Sequence, residues 1–196
     1  MTRIASASLL LVFTLLLYSC QTDYASLPTY TGARQLQAVI ETPAGSSHAV
    51  KYDLKTKTFI NEKLAGQDKI LQFLPYPGNY GFIPSTEVGA NSRGLSTLVL
   101  AERIESGTVT EVIPIATLML EKSSGDLYPV IITVPARPSE RTIKATNFKS
   151  LSIEYPAVKQ ILQQWFVHYT HPNSIKFVGW KDEHFAEKEI QRWMKL

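Results

Sequence analysis

The chain has 196 residues, 44% of them hydrophobic and 19% charged, one Cys, and 20 Lys and Arg against 17 Asp and Glu, for a formal charge of +3. That is enough apolar chain for one packed core. A single Cys excludes an internal disulfide framework, the composition excludes a disordered chain, and so small a charge excess gives no support to nucleic-acid binding. The acids divide unevenly, 12 Glu against five Asp (Asp23, Asp53, Asp68, Asp126 and Asp182), so any site built on clustered aspartates has few to draw on.

The chain starts with Arg3, an uncharged apolar run from Ile4 to Leu17, and then Tyr18, Ser19 and Cys20. These are the charged, apolar and small-residue zones of a secretory signal. Leu17, Ser19 and Cys20 resemble a bacterial lipobox, although Tyr18 is bulkier than usual, and the resemblance implies acylation of Cys20 after removal of residues 1–19. An uncleaved span fits less well, because about fifteen residues at ~1.5 Å each reach only some 22 Å of a ~30 Å hydrocarbon core. The expectation is an exported, membrane-anchored lipoprotein on the periplasmic face. Gln21, rather than an Asp, after Cys20 points to the outer membrane. Residues 20–34 read as a tether and 35–196 as the folded domain.

Gln35 to Glu41 and His48 to Leu54 are short β-like runs joined by a turn-forming cluster from Thr42 to Ser47. Ser96 to Ala101, Val109 to Leu120 and Pro129 to Val134 follow, separated by Gly and Ser loops. After Pro156 the period changes: Val158, Ile161, Leu162, Trp165, Phe166 and Tyr169 fall on one helical face. A strand from Ile175 to Trp180 precedes a last helix capped by Asp182. The fold class expected is mainly β with two C-terminal helices, an OB-like closed β-barrel.

The most specific stretch is Leu74-Pro75-Tyr76-Pro77-Gly78-Asn79-Tyr80-Gly81-Phe82-Ile83-Pro84. Its prolines and glycines impose a rigid loop, and its tyrosine hydroxyls suit a polyanion, though from composition alone a buried aromatic turn fits as well. The stretch resembles the YPxNYGFIP signature of the soluble family I inorganic pyrophosphatases. Ala38 to Pro43 resembles that family's VIEIP strand, Lys51-Tyr52-Asp53 its KYE element, Trp165 to Tyr169 its FFxHY helix, and Val178-Gly179-Trp180 its VxGW strand.

The resemblance implies hydrolysis of a phosphoanhydride by a cluster of Mg²⁺ ions that neutralise phosphoryl oxygens and activate water. It also implies which positions should carry the metals, and there the match fails. The three aspartates of the family's DGDPxD motif fall on Asn91, Arg93 and Ser96, two later ones on Ser123 and Tyr128, and two lysines on Val130 and Thr170. Glu41, Lys51, Asp53, Tyr76, Tyr80 and Tyr169 are retained as candidate substrate-binding residues, with Lys69 standing where the family has an Arg. With Arg93 turned inward, three cations face two carboxylates. Such a pocket suits a phosphate-like anion held directly by Lys, Arg and Tyr donors better than a set of metal ions.

The reading is therefore a pyrophosphatase-like lipoprotein impaired in catalysis, with no cofactor expected unless the family's Mg²⁺-dependent activity survives. Its expected partners are pyrophosphate or another phosphate-like anion, the membrane through the lipid and a second copy of the chain, with no nucleic acid. Two alternatives stay open: a diphosphatase using displaced acids such as Glu121 or Asp126, and an OB-like ligand or partner module. His168 and His171 lack a third metal ligand and read as surface residues. Lys181, Lys188, Arg192 and Lys195, interleaved with acids, read as a solvated helix face.

Overall fold

The computed structural model describes residues 22–88, 93–170 and 174–195. Strands β1 (Leu36–Thr42), β6 (Asn79–Val88), β7 (Arg93–Val99), β9 (Leu127–Pro135), β8 (Val109–Lys122) and β10 (Ile175–Lys181) lie side by side in that order in one six-stranded sheet. All neighbours are antiparallel except β7 and β9. Two small hairpins, β2 (Val50–Asp53) with β3 (Thr58–Asn61) and β4 (Lys63–Leu64) with β5 (Gln67–Asp68), stand apart from the sheet. The helices are α1 (Phe148–Glu154), α2 (Pro156–His168) and α3 (Glu183–Trp193).

Alternation along the strands serves two cores. On β9, Val130, Ile132 and Val134 face a core completed by Leu151 of α1 and Leu162, Trp165 and Phe166 of α2. Ile131 faces the other core, with Leu36, Ile40, Ile83 and Leu95, closed by Ala186 and Ile190 of α3. A strand covered on both faces reads as a continuous apolar run, which is why Val130 to Val134 shows no polar alternation.

The expected OB-like closed barrel with two C-terminal helices is corrected to a mixed α/β fold. Strand β8 is 14 residues long. Its first residues, Val109–Val112, pair with β1, so the sheet curls. Its last, Thr117–Lys122, run beyond that contact and leave backbone groups that β10 covers as an added sixth strand. The third helix, α1, buries only Leu151 and so gives no apolar period to read, although Asn147 caps it by accepting the Ser150 N–H at 2.8 Å.

The membrane-anchored expectation is corrected as well for the folded part. Among the described residues no helix is long and apolar enough to cross a membrane; Cys20 lies outside the described residues. Within the segment expected as a tether, Tyr24–Ser26 form a 3-10 turn whose Tyr24 ring lies 5.6 Å from that of Tyr52 and 5.0 Å from that of Phe59. Asp23 pairs with Lys57 at 3.0 Å, and Thr29 is buried.

The proline-rich loop is pinned by Asn79, which is fully buried. Its Oδ1 accepts from the Ala44 N–H (3.0 Å) and the Ile104 N–H (2.8 Å), while Nδ2 donates to the Glu102 carbonyl (2.8 Å). Asn79→Ala strands two part-buried N–H groups, those of Ala44 and Ile104, so we expect a loss of about 2 kcal/mol in urea unfolding.

Candidate functional site

One cleft of about 660 Å³ gathers Glu41, Lys51, Asp53, Lys69, Tyr76, Tyr80 and Tyr169, all seven retained residues. Arg93, Ser96 and Tyr128, from positions matched to metal aspartates, line it too. Asn91 lies outside the described residues, as does His171. Ser123 does not reach the cleft: it is exposed and its N–H donates to the Ser174 carbonyl at 3.1 Å. Val130 is wholly buried in the core.

Glu41, at the end of β1, is buried, and its Oε1 accepts the Tyr52 N–H at 2.7 Å. Burial pushes its carboxyl up to about 7; the Tyr52 hydrogen bond and the nearby charges of Arg93 and Lys51 pull it down, and Glu62 pushes it up. Asp53 is spent differently. Its Oδ1 accepts from the N–H groups of Lys55 (2.9 Å) and Thr56 (2.8 Å), which close the β2–β3 turn and hold its carboxyl below the usual range.

The tyrosines form a wall. Tyr169 stacks on Trp165 at 4.4 Å between ring centroids with 9° between planes, and the Tyr76 ring lies 4.9 Å from that of Trp165, tilted by 48°. The Trp165 indole N–H donates to the Leu74 carbonyl at 2.9 Å, which fastens α2 to the proline-rich loop. Burial raises the hydroxyls of Tyr76, Tyr80, Tyr128 and Tyr169, so all four are neutral at physiological pH.

At two of the matched positions, Ser96 and Tyr128, the hydroxyls bond to each other and to the retained Tyr80. The Tyr80 hydroxyl donates to Ser96 Oγ at 2.9 Å and is hydrogen-bonded to the Tyr128 hydroxyl, which is itself 3.3 Å from Ser96 Oγ. Mg²⁺ seeks carboxylate and water oxygens in octahedral array. Here the donors are neutral and already paired, and Arg93 adds a cation whose charge is attracted to Glu41 and Glu62. Among the described residues no group of three or more His, Cys, Asp or Glu is placed to hold a metal ion. The described residues at these positions do not offer the oxygen set that a Mg²⁺ cluster takes. The displaced acids Glu121 and Asp126 do not line the cleft, and Asp126 accepts from Ser124 Oγ at 2.7 Å.

Four lining charges escaped the sequence reading: Glu62, Lys122, Lys55 and Lys195. Glu62 accepts from Lys69 Nζ at 3.0 Å, so the expected phosphate-binding lysine is held by a carboxylate across the β4–β5 hairpin. Lys195, read as solvated, pairs with Glu87 at 3.0 Å. Lys122 sits 5.0 Å over the Tyr128 ring. Hairpin register was the available signal for it: Leu120 opposes Tyr128, so the residue two further along β8 shares that face, not Ser123. Six cations and three carboxylates thus line the cleft, a stronger positive balance than the sequence suggested.

Fold and cleft define a small α/β protein with a cation-rich pocket beside a tyrosine wall. The family description "Inorganic pyrophosphatase" matches residues 38–196. The chain is 31% identical over 163 residues to an inorganic pyrophosphatase of Mesorhizobium japonicum, covering 79% of this chain and 85% of that one. It is 32% identical over 167 residues to that of Brucella melitensis, covering 79% and 86%. Among solved structures, the inorganic pyrophosphatase from Thermus thermophilus superposes with a TM-score of 0.76 at 28% identity, over 88% of this chain and 97% of that one. The chain belongs to the inorganic pyrophosphatase family.

Proposed function

We propose that this is an exported lipoprotein of the pyrophosphatase family, acylated at Cys20, whose domain 35–196 binds a phosphate-like anion in the cleft and has lost metal-dependent hydrolysis of pyrophosphate. The observation that carries the reading is the Tyr80–Ser96–Tyr128 hydroxyl cluster beside Arg93, which puts neutral, mutually bonded groups and a cation where family resemblance asks for carboxylates. Substrate-binding roles fall to Glu41, Lys51, Lys69, Tyr76, Tyr80 and Tyr169. Asp53 is kept for the turn that presents Lys51.

The test is a phosphate-release assay on the purified full chain with pyrophosphate and Mg²⁺, Mn²⁺ or Zn²⁺ in turn. We expect no turnover above background. Turnover that disappears in Arg93→Gln would overturn the reading and establish the second one, a divalent-metal-dependent diphosphatase. Family membership favours that alternative, with Mg²⁺ as its cofactor, and it further requires saturable Mg²⁺ binding in calorimetry.

A further inference from the structure

We propose that the ligand of the cleft is an organic phosphomonoester, its phosphoryl group held by Lys51, Arg93 and Lys122 and its organic body laid along the rings of Tyr76, Tyr128 and Tyr169. The proposal rests on the anion-binding reading above and narrows the class of ligand.

Space is the first argument. About 660 Å³ falls within the roughly 300–1,000 Å³ of sites that enclose organic small molecules. Pyrophosphate bound without a shell of metal ions would leave much of that volume to water.

The second argument concerns what the wall offers. The Tyr128 hydroxyl is taken by Tyr80 and Ser96, so what this residue has left to present is the part of its ring that Lys122, 5.0 Å from the centroid, leaves uncovered. Tyr76 and Tyr169 are fixed by their contacts with Trp165. Rings held in place lose little freedom when an apolar body settles on them.

Charge is the third. No described residue makes a hydrogen bond or an ion pair within 4 Å to the charged ends of Lys51, Arg93 or Lys122, whereas Lys69 is held by Glu62. A phosphomonoester carries a charge of about −1.5 to −2 at neutral pH, which three cations can balance. The more highly charged pyrophosphate would also meet Glu41 and Glu62 in the same cleft. Arg93 supplies a planar fork suited to two phosphoryl oxygens, and the lysines supply point charges.

The test is calorimetry on the full chain in metal-free buffer with four probes: phenyl phosphate, inorganic phosphate, pyrophosphate and phenol. We expect phenyl phosphate to bind at least ~10-fold more tightly than either inorganic anion, and phenol not to bind. Tyr128→Ser should abolish the preference for phenyl phosphate over inorganic phosphate, while Tyr128→Phe, which keeps the ring, retains it. Arg93→Gln should weaken every phosphate. Equal binding of phenyl phosphate and the inorganic anions overturns the proposal and leaves the anion-binding reading standing. Binding of phenol as tight as that of phenyl phosphate also overturns it. If no phosphate binds at all, both fall.

Discussion

Gly81→Ala is expected to cost at least about 3 kcal/mol, enough to unfold much of a domain of ordinary stability. Gly81 lies in β6 between β1 and β7, opposite Ile40 on one side and Thr97 on the other. A Cβ placed there would stand 1.9 Å from the Val39 carbonyl oxygen and 3.0 Å from the Ile40 Cα. Those atoms are backbone in a buried strand, so no side chain can swing away to make room. Relief requires β1 and β6 to part, which breaks their ladder and moves the cleft residues Glu41, Tyr80 and Phe82 beside that contact. Gly179→Ala is the control, because nothing lies within 4 Å of the position its Cβ would take. Its effect should stay within about 0.5 kcal/mol. Urea unfolding of both variants checks the pair, and equal midpoints would show that the close approach at Gly81 is not a constraint.

Glu41→Gln is expected to stabilise the protein at pH 8 by up to about 3 kcal/mol and to leave it little changed at pH 4.5. Glu41 in the fold is raised from 4.5 to about 7, chiefly by burial. The folded state therefore favours the protonated acid. Its contribution is fully present below pH 4.5 and is lost as pH rises through about 7, where the buried carboxylate must carry its charge. Arg93 and Lys51 offset part of that cost, Glu62 adds to it, and the Tyr52 N–H stabilises the charged form. Gln keeps an oxygen for the Tyr52 N–H and never ionises, so the slope of stability against pH between 5 and 8 should flatten in the variant. A constant difference between variant and parent across that range would remove Glu41 as the titrating group. The same protonation takes a negative charge out of the cleft, so the ratio of phosphate affinity at pH 6 to that at pH 8 should be larger in the parent than in the variant, the titration of phosphate itself being common to both.

Much of this molecule was legible before any coordinates. The stretch from Leu74 to Pro84 combined Pro, Gly and Tyr too tightly for an ordinary loop, and the period of α2 and the Asp182 cap of α3 followed from local rules, the latter realised by the Phe185 N–H at 2.9 Å. These features depend on neighbours in sequence. Architecture was less legible because the expected barrel counted strands without their partners, and the length of β8 decides that it serves both β1 and β10.

The shortage of aspartate, five against 12 Glu, was visible in composition alone, whereas its assignment to Arg93, Ser96 and Tyr128 is what the family resemblance implies. Their contacts were visible in neither. That Ser96 and Tyr128 bond to each other and to Tyr80 depends on β6, β7 and β9 lying side by side, and residues 16, 32 and 48 apart in sequence give no local sign of meeting. The same holds for Glu62 reaching Lys69 across a hairpin, for Lys122 rather than Ser123 entering the cleft, and for Asp53 being spent on a turn. Residue types and their period are properties of the chain and determined the family, the main helices and the missing acids. Which charge faces which depends on strand register and on the curl of the sheet, so only the tertiary structure decided that Ser96 and Tyr128 meet Tyr80 in one cleft with Arg93.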